Sequence, residues 1–92
     1  MGNKRAVIVT TSHRGVFFGY VEGPTEGLKE VALTNVRCAI YWGTSKGVWE
    51  LADTGPTQKS KIGARAPRLE LRDITAIADV SEAAVANWEA VT

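Results

Sequence analysis

The feature that most constrains this chain is a succession of short runs of β-forming residues separated by turn residues. Arg5–Thr11 reads RAVIVTT and Val16–Glu22 reads VFFGYVE, with Ser12, His13, Arg14 and Gly15 between them. Two such runs across a short polar break predict a β-hairpin. The first run is nearly continuous in apolar character, as expected of a strand covered on both faces. Gly19 inside the second predicts a bulge or a close backbone approach.

After a loop at Gly23–Gly27, further strands are expected at Glu30–Thr34 and at Arg37–Trp42, with Asn35 marking a turn. Val48–Leu51 reads as a short extended piece. Asp53–Pro67 is the longest irregular stretch, a length that marks a functional or mobile loop in a compact domain. Arg68–Arg72 alternates, with Leu69 and Leu71 on one face and Arg68, Glu70 and Arg72 on the other. Ile74–Val80 continues as β. Ser81 then sits where an N-cap belongs, followed by Glu82, and Ala84, Val85, Trp88 and Val91 recur at helical spacing, which predicts a helix over 81–90. The expected fold is mainly β: a small barrel-like or strongly bent antiparallel sheet with one C-terminal α-helix, its strands within 5–80. At 92 residues the chain has room for one core, so 1–92 is read as a single domain.

Composition narrows the function. Apolar residues make up 45% and charged residues 23%, which excludes the signature of disorder. A net charge of +1 supplies no global field toward nucleic acid or an anionic membrane. The single Cys38 cannot form an internal disulfide or a multi-thiolate metal site, which points to a reducing cytosol. The apolar run after Lys4 and Arg5 is too short for a signal peptide, and no run approaches the roughly 18 residues that span a bilayer. The expected location is the cytoplasm, with no membrane partner.

No catalytic set is recognisable: His13, Cys38 and the serines stand at no spacing that pairs a nucleophile with a base. The chain is therefore read as a non-enzyme with no metal and no cofactor. Its candidate residues suit binding. His13 and Arg14 at the hairpin tip offer donors to an anion, or else form a solvated turn. In the pairs Phe17/Phe18 and Tyr41/Trp42, neighbours on a strand point to opposite faces, so one ring of each pair is free to stack on a planar ligand or a partner, or else packs between strands. Phe18, Tyr41 and Trp42 are the candidates.

The segment 59–72 holds the one local basic cluster, Lys59, Lys61, Arg65, Arg68 and Arg72. Preceded by the turn at Thr54–Thr57, it could cradle a phosphate with Thr54, Thr57, Lys59, Lys61 and Arg65, though it is no Walker motif, has no strand-to-helix context, and a solvated loop is the alternative.

The stretches VIVTTSHRGVFFGYVEG (Val7 to Gly23), VALTNVRCAIYW (Val31 to Trp42), TGPTQKSKIG (Thr54 to Gly63), LELRDITAI (Leu69 to Ile77) and SEAAVANWEA (Ser81 to Ala90) resemble a family of small proteins of tailed bacteriophages and prophages, a domain of unknown function. The resemblance spans nearly the whole chain and supplies no catalytic residues. By analogy of origin and size it implies a counter-defence sponge, which holds a nucleotide immune signal without cleaving it, in the cytoplasm of a bacterial host. The leading expectation is a homo-oligomer that sequesters an anionic small molecule, a cyclic nucleotide being the sharpest form. One alternative is a protein-binding module that inhibits a host factor through a β edge or an aromatic face. Another is a small-barrel nucleic-acid binder, which the near-neutral charge disfavours.

Overall fold

A computed structural model describes residues 4–12, 15–41, 49–57 and 60–91. Its elements run β1 Lys4–Thr11, β2 Val16–Glu22, β3 Glu30–Tyr41, α1 Glu50–Asp53, β4 Lys61–Ile62, β5 Ala66–Arg72, β6 Ile74–Asp79 and α2 Glu82–Ala90. The strands form one antiparallel sheet in the order β4–β3–β2–β1–β6, and β5 lies on β3 beside β4. The expected β1–β2 hairpin is present, with Val7 opposite Gly19 and Ile8 opposite Phe18.

The sheet is strongly bent and not closed. β5 pairs with β3 while β6, which follows it after Asp73 alone, pairs with β1 at the other border. Asp73 turns the chain through a positive φ of 54°, a conformation that Asp and Asn tolerate better than most residues. The joint is tied down by Ser12 N–H donating to Asp73 O at 2.9 Å and Ile74 N–H donating to Lys29 O at 3.1 Å.

Three expectations about the elements are corrected. The two strands foreseen around Asn35 are one long strand, because Asn35 takes a φ of 49° and the β2–β3 register slips there instead of the chain turning. The extended piece foreseen through Leu51 becomes helical from Glu50, since Leu51 and Ala52 are drawn into the core against Trp88 and Ala84. The long irregular stretch is shorter than expected: β4 interrupts it and β5 begins at Ala66.

Both faces of the sheet are covered. Val7, Val9, Val21, Val31, Leu33, Val36 and Leu71 fill the inside of the bend, with Phe17 and Ile77 against them. Ile8, Val16, Phe18 and Ala39 face the helices and meet Leu51, Ala52, Ala84 and Trp88. β1 is thus buried on both sides, as its continuous apolar run requires. Gly19 provides the expected close approach: a Cβ there would stand 2.9 Å from Leu33 Cβ. α2 begins as foreseen, with Ser81 Oγ accepting from Ala84 N–H at 3.1 Å.

Candidate functional site

The charge of greatest interest lies on β3. Arg37 is 5% exposed and is the one buried charged residue among those described. Its Nε donates to Gly63 O at 2.9 Å and its Nη1 to Val91 O at 2.7 Å. The guanidinium therefore joins β3 to the segment after β4 and to the residue that ends α2. The last turn of α2 carries no basic residue of its own, so Arg37 supplies the cation that the negative end of a helix favours. Among the described residues its partners are carbonyl oxygens, and no carboxylate pairs with it.

Arg37 forms the floor of an open cleft of about 440 Å³, walled by Ile62, Gly63, Ala64, Arg65 and Val91. Arg65 stands at its mouth, with Nη1 3.5 Å from Glu89 Oε1 and 3.5 Å from Asn35 O. Tyr20 donates its hydroxyl to the same Glu89 oxygen at 3.1 Å. Burial first, and the adjoining Glu89 second, hold the Tyr20 phenol above its ordinary value of 10.0. The site thus presents two guanidinium groups, one desolvated and one at the rim, beside apolar Ile62 and Val91.

Of the residues singled out from sequence, Arg65 lines this cleft. Lys61 is exposed on β4, opposite Tyr41 in the β3–β4 ladder. His13, Arg14, Trp42, Lys59 and the Tyr41 side chain lie outside the described residues. Phe18 is no surface platform: it has no exposed area, and its ring stacks on Trp88 at 4.7 Å and 6°. Its strand neighbour Phe17 is half-buried against the opposite cluster, so covering both sheet faces consumes the ring expected to point outward.

Thr54 serves the fold. Its N–H caps α1 on Glu50 O at 2.8 Å and its carbonyl accepts from Asn87 Nδ2 at 2.6 Å. Thr57 and Ser60 close a small turn, with Thr57 N–H donating to Ser60 Oγ at 2.9 Å. Arg68 and Arg72 lie exposed on β5 together with Glu70, which pairs with Arg68 at 3.7 Å. The phosphate cradle foreseen at 54–65 therefore contributes Arg65 to the cleft, and neither threonine lines it.

Arg37 was not singled out from sequence. The available signal is a lone cation inside a run of β-formers, where a charge must be specially partnered if it is buried. Cys38 beside it is half-buried, and burial raises its thiol above the ordinary value of 9.0, away from the thiolate form that attacks or ligates. Among the described residues no group of three His, Cys, Asp or Glu side chains gathers to hold a metal, and no helix is long and apolar enough to cross a membrane.

A family described as Domain of unknown function (DUF6948) matches residues 4–88, and the chain belongs to it. No curated protein and no solved structure matches the chain.

Proposed function

We propose that this DUF6948 protein is a non-enzymatic binder that holds an anionic small molecule in the Arg37–Arg65 cleft. One observation carries the reading: a nearly fully buried guanidinium, with no carboxylate partner among the described residues, forms the floor of an open cleft with a second arginine at its mouth. Desolvating a cation is costly, and carbonyl dipoles offset that cost only in part, so an anion entering the cleft gains an unusually strong partner. Arginine forks suit carboxylate and phosphate. The volume of about 440 Å³ lies within the usual range for small-molecule sites, roughly 300–1,000 Å³.

In its most specific form the ligand is a cyclic nucleotide immune signal, and the protein is a phage counter-defence sponge that acts as a homo-oligomer in the host cytoplasm. The raised thiol of Cys38 and phenol of Tyr20 support holding over transformation, because neither is poised to ionise near neutral pH.

Calorimetry against inorganic phosphate, cyclic mono- and dinucleotides and ADP-ribose tests the reading, with light scattering to count copies. We expect saturable heat for at least one phosphate compound and a loss of at least tenfold in affinity for Arg65→Ala, whose rim position leaves the melting temperature nearly unchanged. Absence of heat across the panel at high protein concentration overturns it.

A further inference from the structure

A second groove lies on the other border of the sheet, along β6. Val80 N–H donates to Ala6 O at 3.2 Å, and the β1–β6 register sets Ile8 opposite Ala78, Val9 opposite Ile77 and Thr10 opposite Ala76. Antiparallel pairs alternate between bonded and non-bonded. The 6/80, 8/78 and 10/76 pairs therefore spend their backbone groups on β1. The N–H and C=O of Ile77 point the other way, where no described strand pairs with β6.

They open into a groove of about 390 Å³ between β6 and the loop at 25–28. Arg5 fixes one end of that loop, with Nε bonding Asp79 Oδ1 at 3.1 Å and Nη2 donating to Thr25 Oγ1 at 2.6 Å. The Lys29–Ile74 backbone bond fixes the other. The exposed Leu28 side chain lies on the wall facing β6.

We infer that this groove receives an extended, basic peptide segment as an added partner to β6. A free strand edge is matched by another strand, since only an extended backbone offers donor and acceptor at the required repeat. The loop at 25–28, held at one end by the Lys29–Ile74 bond and at the other by Arg5 between Asp79 and Thr25, leaves only the short stretch 75–79 of β6 open. The occupant is therefore a short single segment, its strand lying about 4.8 Å from β6, and not a second copy bringing its own sheet. Charge selects a cationic segment. Arg5 is already engaged by Asp79, and Glu26 on the opposite wall has no ion pair among the described residues.

The probe is a short fluorescein-labelled peptide alternating lysine and valine, read by anisotropy against the intact protein. Saturable binding is expected, together with new protection of the Ile77 amide from hydrogen exchange. The same peptide N-methylated at alternate residues should bind about tenfold more weakly or worse, as the loss of one or two net backbone hydrogen bonds implies. Glu26→Lys, a change at an exposed loop position, should weaken binding without altering the melting temperature. Failure of the unmodified peptide to bind, or equal binding of its N-methylated form, overturns the inference.

Discussion

The two faces of this sheet are buried by different means. Inside the bend the packing is aliphatic, built from Val7, Val9, Val21, Leu33, Val36 and Leu71. On the helix side it turns on a few directional contacts. Trp88 stacks flat on Phe18, Phe18 meets Tyr20 edge-on at 5.4 Å, and the Trp88 indole donates to Leu51 O at 3.0 Å. The first face needs volume and shape, whereas the second needs particular rings in a particular orientation. Damage should therefore concentrate in one residue on the helix side and spread across many inside the bend.

Trp88→Ala gives the largest expected effect. Removing a fully buried tryptophan costs about 3–5 kcal/mol, and the Leu51 carbonyl also loses its donor. Against a total stability of about 5–15 kcal/mol, urea denaturation should show a severe drop or loss of the folded state. Leu33→Ala, at an equally buried position, should cost about 2–5 kcal/mol. If Leu33→Ala proved the more damaging of the two, the contrast between the faces would be broken.

Gly19→Ala sharpens the contrast from within the bend. The new methyl would meet Leu33 at 2.9 Å, and overpacking of this kind costs about 1–3 kcal/mol. Leu33→Val in the same chain removes only the Cδ1 contact at 3.0 Å and keeps the Cβ at 2.9 Å, so it should relieve little of that loss, and a near-complete rescue would show that the Cβ contact does not matter.

The smallest effect belongs to Tyr20 and depends on pH. Its folded pKa lies above the unfolded value of 10.0, so the neutral phenol is favoured in the folded state. That contribution is fully present below pH 10 and is lost as pH rises through the folded pKa. Tyr20→Phe should flatten the alkaline limb of the stability curve and leave the neutral region little changed, apart from the exposed bond to Glu89.

The strands and α2 were legible because their signals are local. A continuous apolar run announced the doubly covered β1, alternation announced β5, and Ser81 with its neighbours announced the helix. α1 was not, because Trp49–Leu51 has mixed propensity and tertiary burial of Leu51 decides its state. Nor did local pattern show that Asn35 would bulge rather than turn. The cleft was half legible: Arg65 stood out within a basic cluster, but the burial of Arg37 depends on carbonyls 26 and 54 residues away. The outward ring assigned to Phe18 failed for a related reason, since adjacency in sequence says nothing about whether both sides of a sheet will be occupied.

Asp73 joins two strands that serve opposite borders, and this has a consequence for how the molecule comes into being. Residues 7–11 find their β6 partners at 74–79, so an emerging polypeptide cannot complete this sheet until the residues through 79 have left the ribosome. Such long-range topology refolds slowly, on the order of milliseconds to seconds. During synthesis the β1–β2 hairpin must wait, its borders open to wrong neighbours, for a strand made much later, at residues 74–79.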